Sequence, residues 1–293
     1  MSDFAAAFAD NFYLTDDYAA YCSRITKIPP RKVVIQGRNY YLLKNKNIAV
    51  SNYCEALTGE FRKRKTAYLR VTPEINGLTS APSLMEYSIF HSSSYEQAAA
   101  RYRTSFRHGL REGRKFPHEV DIRRRPDDRT LDETYGIYLE QMKRHHSYIL
   151  PRSLFKAFVD TPSAFLFLIR YGKNITAYFC CFEHRDNIYA SMGGGDPRFF
   201  STKCSNKLYD ELIKYACQNG LNIHLGLGEY GSGYQQFKKN AGLICYKTER
   251  YPDTERWLRF AVPFLKFRLT GRVLALASAL FPYRVAYYAM PFT

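Results

Sequence analysis

LNIHLGLGEYGSGYQQFKKNAGLICYKTER, residues 221–250, reads as a strand, a glycine-rich loop, a short helix and a second strand. Leu221, Ile223 and Leu225 alternate along the first strand, as the buried face of a strand does. Four glycines follow within eight residues, where the backbone can adopt conformations closed to other residues. This stretch therefore predicts a strand–loop–helix–strand unit around which the rest of the chain is organised.

The helix of this unit is predicted to begin after Ser232, whose hydroxyl can cap the first turn. Gly242 follows where a left-handed helix end favours glycine. A loop of backbone amides leading into a helix can bind an anion, and Lys238 stands one turn further in. An ordinary strand–turn–helix connection explains the pattern equally well. The predicted apolar side of the helix comprises Tyr234, Phe237 and Ala241.

Composition bounds the classes of partner. The 293 residues are 46% hydrophobic, enough for one large domain or two smaller ones, and carry 43 Lys+Arg against 27 Asp+Glu, a net charge of +16. This excess favours nucleic acid, nucleotide-linked substrates or an anionic membrane surface. Seven cysteines without a CxxC pair predict a reducing compartment and no metal site. The acidic N-terminus is no secretory signal, so we expect a cytoplasmic protein.

The first half contains short strands between residues 32 and 50, a helix near 55–65 and a strand at 67–71 that Pro73 ends. A single helix is predicted over 95–115. Arg103, Arg107 and Arg111 lie along one face of it, with six basic residues against one acid in 101–115. This face indicates a phosphate or acidic substrate, or simply a solvated surface.

The second half is predicted to contain helices at 131–148 and 151–159, strands at 165–170, 175–183 and 187–192, a glycine turn at 193–195, and a helix at 206–219. The last residues, 256–293, carry six basic residues and no acid. Their apolar runs are too short to span a membrane. This tail either docks on the protein as a helical pair or lies on an anionic membrane face, which would be the inner face.

The order of elements over 131–250 resembles the GNAT acyltransferase fold, and the chain more narrowly resembles the FemAB-like branch with its BioF2-like acetyltransferase domain. Three segments carry the resemblance: the basic segment 103–113, the glycines 193–195 followed by the helix to Gly220, and the Phe-Lys segment 231–242. It implies an α/β fold with a mixed, mainly antiparallel sheet flanked by helices. It also implies two GNAT-like halves, the first degenerate (1–120), the second the acyltransferase half (121–255), before the tail 256–293.

By this resemblance the chain transfers an acyl group from an activated donor, with acyl-CoA as the expected co-substrate and no permanently bound cofactor, to an amine on a sugar, an amino acid or a cell-envelope precursor. Lys238 is the implied catalytic residue, because a fixed ammonium stabilises the oxyanion that forms as an amine attacks. Glu229 could accept the proton of the amine or serve as a hydrogen-bonding loop carboxylate. The other candidate residues are Gly193, Gly194, Gly195 and Asn206 for the co-substrate, and Arg103, Arg107, Arg111, Ser232, Tyr234 and Phe237 for the acceptor.

Two alternatives stay open. The spacing of the glycines departs from the pyrophosphate loop of GNAT enzymes that use acyl-CoA, and Asp196 would repel a phosphate. The FemAB enzymes proper use aminoacyl-tRNA, which the positive charge suits, so the first alternative is a peptidoglycan-type aminoacyltransferase. The second is a catalytically silent GNAT-like module that binds nucleic acid or membrane.

Overall fold

The computed structural model describes residues 4, 8, 11–35, 37–44, 46–51, 55–75, 85–145 and 149–251. Within these residues, eleven strands form one sheet. They are β1 (Arg31–Ile35), β2 (Arg38–Leu43), β3 (Lys46–Ser51), β4 (Ala67–Ile75), β5 (Met85–Phe90), β6 (His118–Arg123), β7 (Ala164–Tyr171), β8 (Asn174–His184), β9 (Asn187–Gly195), β10 (Asn222–Glu229) and β11 (Ile244–Tyr251).

Their order across the sheet is β1-β2-β3-β4-β11-β5-β10-β9-β8-β7-β6. The pairs β3–β4 and β9–β10 are parallel, and the other neighbouring pairs are antiparallel. The expected mixed, mainly antiparallel sheet is confirmed. β11, from the second half of the chain, lies between β4 and β5 of the first, and the division of the chain near residue 120 stays a prediction.

Helices cover both faces of the sheet. In the described residues they are α1 (Asp16–Thr26), α2 (Glu55–Lys63), α3 (Tyr95–Ala100), α4 (Thr104–Gly113), α5 (Asp128–Arg144), α6 (Arg152–Val159), α7 (Cys204–Asn219) and α8 (Gly233–Asn240). Short 3₁₀ turns lie at Phe12–Leu14 and Pro197–Thr202.

Alternation along β8 divides the core into two layers. Tyr178, Cys180 and Phe182 pack with α1, α5 and α6 on one face. Phe179 and its neighbours pack with α3, α4 and α7 on the other face. Since side chains alternate across a strand, one apolar run supplies both layers. Each buried phenylalanine contributes about 1.5–3 kcal/mol to folding. The side chains of β8 therefore stabilise the packing of helices on both faces of the sheet.

Four local predictions are wrong. The helix expected over 95–115 is two helices, because the chain breaks between α3 and α4 at residues 101–103. The glycine turn at 193–195 is the end of β9, where these residues pair with residues 177–179 of β8. β4 does not end at Pro73 but runs on to Ile75 across an irregular register, where a strand tolerates proline. β5 is missing from the prediction, although Tyr87 and Ile89 alternate with polar residues there.

The tail 256–293 and most of the first ten residues lie outside the described residues. No helix within the described ranges is long and apolar enough to cross a membrane.

Candidate active site

β10 carries a β-bulge that opens a cleft in the sheet. Between His224 and Leu227, β10 advances three residues while β5 advances two. Gly226 lies in this bulge with φ +62°, a conformation that favours glycine. The parallel pairing of β10 with β9 ends at His224, opposite Tyr189. Beyond this point the two strands separate, and their facing backbone edges have no strand partner within the described residues.

A cleft of about 50 Å³ lies where β9 and β10 separate. Residues of β9 and β10 form its walls, together with one residue of β8, one of the N-terminal segment before α1 and one of α8. The lining residues are Tyr13, Phe179, Ala190, Ser191, Met192, Gly193, Leu225, Gly226, Leu227 and Tyr234.

Lys238 of α8 lies behind the bulge and is fully buried. Its ammonium nitrogen donates hydrogen bonds to the carbonyl oxygens of Leu225 at 2.7 Å, Leu227 at 3.4 Å and Gly226 at 3.5 Å. An ammonium has three donors, so this one side chain serves three carbonyl groups in the bulge and directly after it. Lys238 therefore holds the wall of the cleft in its open shape.

The charge of Lys238 is weakly solvated. Burial lowers the pKa of its ammonium below the ordinary lysine value of 10.5. The ring of Tyr234 lies 4.3 Å from the ammonium nitrogen, within the range of a cation–π contact, and is half exposed toward the cleft. A buried cation thus lies behind the wall of the cleft, in contact with a half-exposed aromatic side chain that lines it.

The buried face of α8 differs from the prediction. Gln235 and Lys238 are fully buried, whereas Tyr234, expected on the apolar side, is half exposed. The amide nitrogen of Gln235 donates to Ser88 Oγ at 2.7 Å and to Cys245 Sγ at 3.2 Å. These bonds tie the buried face of α8 to β5 and β11, so Lys238, on the same face, is held against the bulge.

Glycines shape the opposite wall of the cleft. The amide of Gln141, on α5, donates to the carbonyl oxygen of Gly193 at 3.0 Å. A Cβ atom at Gly194 would lie 1.7 Å from Gln141 Oε1, and one at Gly193 would lie 2.1 Å from the ring of Phe179. Side chains at these positions would therefore collide with α5 or with the core.

The structure brings some of the predicted residues together. Tyr234 and Gly193 line the cleft, and Lys238 lies behind its wall, bonded to the carbonyl oxygen of Leu225. Ser232 Oγ caps α8 by accepting from Gln235 N at 3.2 Å, as predicted. Gly242 has φ +80°, also as predicted.

Other predicted residues lie around the cleft rather than in it. The ring of Phe237 packs on Phe106 and Tyr209, with ring centres 5.6 and 5.0 Å away. Glu229 ends β10 opposite Met85 and does not line the cleft in the part of the chain that the structure describes.

Asn206 and Asp196 also differ from expectation. Asn206, in the first turn of α7, faces α4, since a Cβ atom at Gly109 would lie 2.5 Å from its side-chain nitrogen. The carboxylate of Asp196 is buried and forms an ion pair with Arg198 at 2.6 Å. Its negative charge, expected to repel a phosphate, is offset by this arginine.

The arginines of α4 are exposed, as a binding or solvated face requires. Arg103 precedes the first turn, and its backbone N–H donates to the carbonyl oxygen of Asn240 at the end of α8. The side chain of Arg107 donates to the carbonyl of Ala100 at 2.9 Å, and Arg111 lies 3.0 Å from His108 Nδ1.

Sequence reasoning missed several residues of the cleft. Tyr13 comes from the far N-terminal end of the chain, and burial raises its pKa to about 12. Phe179 and Met192 belong to apolar strand runs that resemble any core strand. Nothing local in the sequence marks these positions, because the cleft depends on where strands separate. The described residues contain no group of three or more potential metal ligands.

Comparison with known proteins identifies the domain. Residues 100–239 match the family model of the acetyltransferase (GNAT) domain. None of the curated proteins compared with the chain matches its sequence.

Solved structures share the fold at low sequence identity. The crystal structure of FemX superposes with a TM-score of 0.61 at 12% identity, over 88% of this chain and 96% of that one. The C-terminal DUF2156 domain of a putative lysylphosphatidylglycerol synthetase from Agrobacterium fabrum gives 0.53 at 11% identity, over 86% and 94%. L-PGS from Bacillus licheniformis gives 0.52 at 10% identity, over 88% and 94%. The chain is therefore similar in fold to these proteins over most of its length.

Proposed function

This chain carries an acyltransferase domain of the GNAT family, and from that premise we propose that its cleft between β9 and β10 moves an acyl group from an activated donor to an amine. The observation that carries the proposal is the buried ammonium of Lys238 behind the bulge. A fixed positive charge in a weakly solvated wall is suited to stabilising negative charge that develops on a carbonyl oxygen.

In the proposed reaction, the donor carbonyl lies in the cleft and the amine nitrogen attacks the carbonyl carbon. A C–N bond forms, negative charge collects on the carbonyl oxygen, and the bond to the leaving group then breaks. The leaving group departs with the proton that the amine loses. The two long bonds from Lys238, 3.4 and 3.5 Å, allow the ammonium to turn toward the oxyanion while it keeps its 2.7 Å bond to Leu225.

Replacing Lys238 by methionine tests this role, since it keeps an unbranched side chain only one atom shorter and removes the charge. We expect the rate of transfer to fall by roughly 10²–10³-fold, the usual effect of losing one oxyanion-stabilising donor. Gln236→Ala is the matched control, because Gln236 is exposed on the same helix and should leave the rate unchanged. Circular dichroism establishes that both variants fold. A folded Lys238→Met variant with the wild-type rate would remove the assignment.

The donor has two candidates, acyl-CoA and aminoacyl-tRNA. The second is favoured by one observation: residues 193–195, expected to cradle the pyrophosphate of CoA, are extended in β9 and paired with β8. The net charge of +16 and the exposed arginines of α4 suit a tRNA. The proposed acceptor is an amine on a sugar, amino acid or cell-envelope precursor, and contact of the tail 256–293 with an anionic membrane is part of the same proposal.

Transfer assays with each labelled donor and a simple amine separate the two candidates. If tRNA binds along α4, reversing the charges of Arg103, Arg107 and Arg111 weakens tRNA binding. The slope of the logarithm of the tRNA-binding constant against the logarithm of the salt concentration also becomes less steep, by roughly 0.7–0.9 for each phosphate that the variant no longer neutralises. The control is Lys156→Glu on α6, across the sheet from α4. Equal tRNA binding by both variants would favour acyl-CoA.

A further inference from the structure

His224 is a buried histidine that the proposed reaction does not use. It is 1% exposed, and it is the residue of β10 at which pairing with β9 ends and the bulge begins. Other rings contact it on two sides. The ring of Tyr189 stacks on it with centres 4.5 Å apart, and the ring of Phe8 meets it edge-on at 5.3 Å. An imidazole packed in this way holds its two nitrogens in fixed directions.

The hydrogen bonds of His224 assign its proton to one of these nitrogens. Nε2 lies 3.2 Å from Asn187 Oδ1, which also accepts a hydrogen bond from the side-chain amide of Asn222 at 3.2 Å. An amide oxygen can only accept, so Nε2 donates, and Nδ1 of the neutral ring is an acceptor. Nδ1 lies 3.1 Å from the hydroxyl oxygen of Tyr87, and this hydroxyl therefore donates to it.

The bond between Tyr87 and His224 bridges the bulge. In the pairing of β10 with β5, His224 lies opposite Ile89 and Leu227 lies opposite Tyr87. The side chain of the residue before the bulge is therefore bonded to the strand partner of the residue after it. This bond limits how far the two ends of the bulge can move, and Asn187 ties the same imidazole to β9. One side chain thus links three neighbouring strands where the cleft opens.

Lys238 contacts the same bulge from the opposite face of the sheet. α8 reaches β5 through the bond from Gln235 to Ser88, the residue that follows Tyr87. Neighbouring side chains of a strand point to opposite faces, so α8 and Tyr87 lie on different faces. The ammonium of Lys238 donates to the carbonyl groups of residues 225–227, which are the residues that the Tyr87–His224 bond spans. The position of the ammonium therefore depends on the shape that this bond gives the bulge.

We propose that His224 is a positioning residue, because its bond with Tyr87 fixes the bulge and so the carbonyl groups against which the ammonium of Lys238 lies. This inference rests on the proposed function and deepens it, since the position of the ammonium matters for transfer only if Lys238 stabilises the oxyanion. The fixing of the bulge itself requires no reaction, so it can be tested separately.

Hydrogen exchange of the full chain, followed by mass spectrometry, tests whether the bond fixes the bulge. Tyr87→Phe removes the hydroxyl group, and we expect the amides within residues 222–229 to exchange roughly tenfold faster. Tyr246→Phe is the matched control. Its hydroxyl lies 2.7 Å from Nε2 of His91 in a second buried tyrosine–histidine pair, which joins β11 to the residue after β5. This variant should leave exchange in 222–229 unchanged. Wild-type exchange there in Tyr87→Phe would overturn the role of His224, whether or not the chain transfers an acyl group.

Two substitutions of His224 test the catalytic consequence. The side-chain oxygen of asparagine stands near the position of Nδ1 and can accept from Tyr87, whereas the amide nitrogen of glutamine stands near Nε2 and can donate only to Asn187. We expect His224→Gln and Tyr87→Phe to lower kcat by roughly tenfold to hundredfold, the effect of a small misplacement, with the KM for the amine nearly unchanged. His224→Asn should keep a kcat close to that of the wild type.

A general loss of stability would affect the two His224 variants alike, so equal kcat values for His224→Gln and His224→Asn would overturn the positioning role in transfer. If the wild type transfers no acyl group from either acyl-CoA or aminoacyl-tRNA, the proposed function fails, and the exchange experiment still decides whether His224 fixes the bulge.

Discussion

Replacing Gly193 by alanine tests whether residues 193–195 form a strand, as in the structure, or a turn, as their composition indicates. A Cβ atom there would lie 2.1 Å from Cδ1 and 2.4 Å from Cε1 of Phe179, and 3.1 Å from the carbonyl oxygen of Tyr178. Phe179 is 2% exposed, so its ring can move only by disturbing the core around it.

Two effects of opposite sign determine how far Gly193→Ala changes the free energy of unfolding. Overpacking a core costs about 1–3 kcal/mol. Alanine also restricts the unfolded chain, which stabilises the protein by about 0.4–1 kcal/mol. We therefore expect Gly193→Ala to lower the free energy of unfolding by roughly 1.3 kcal/mol, the difference between the midpoints of these two ranges. Because Phe179 also lines the cleft, the displaced ring should reduce acyl transfer as well.

Gly136→Ala is the matched control. Gly136 lies inside α5 and is exposed, and a Cβ atom added there would have no neighbouring atom within 4 Å. The same substitution should therefore raise the free energy of unfolding by up to about 1 kcal/mol, the difference in helix propensity between the two residues. Urea unfolding followed by circular dichroism measures both. If Gly193→Ala is as stable as the wild type while Gly136→Ala is more stable, residues 193–195 are not held against Phe179.

Three further predictions concern buried polar groups. Burial lowers the pKa of Lys238 below 10.5, so the unfolded chain binds more protons than the folded one at alkaline pH, and the free energy of unfolding should rise with pH just below 10.5 by up to about 1.4 kcal/mol per pH unit. The difference in free energy of unfolding between the wild type and Lys238→Met, measured with urea from pH 7 to 10, should show this rise, and a difference that does not change with pH would contradict it. Asp210→Asn should lower the free energy of unfolding by about 1.5–3 kcal/mol, because the hydrogen bonds from two hydroxyl groups and from Lys214 lose their ionised acceptor. Thermal unfolding of this variant is compared with that of Asp128→Asn, which changes an exposed aspartate. Gln235→Leu should lower the free energy of unfolding by about 1–3 kcal/mol, because it removes the buried hydrogen bond that the amide donates to Ser88. An unchanged urea midpoint would show that this bond is not formed.

The sequence predicted elements well where local chemistry decides them. The cap at Ser232 and the left-handed end at Gly242 depend on one or two residues, and both are confirmed. The strands β7 and β8 follow from apolar runs with turn residues between them. The cleft could not be predicted in this way, because it depends on which strands are neighbours. β10 separates from β9 after His224, where the bulge that contains Gly226 begins, and the sequence distance between those strands includes the whole of α7.

The face of α8 shows why local rules failed at the site itself. Sequence reasoning buries apolar side chains, because burying an unpaired polar group costs free energy. Here Gln235 and Lys238 are buried and Tyr234 is half exposed, which reverses that expectation. The reversal is tolerated because the amide nitrogen of Gln235 donates to Ser88 and the ammonium of Lys238 donates to three carbonyl groups in the bulge and directly after it. A helix that buries a lysine against the hydrophobic pattern, and yet satisfies every donor of that lysine, is typical of a functional site rather than of an element optimised for stability. Within this chain, that departure is the best local reason to look for the chemistry at Lys238.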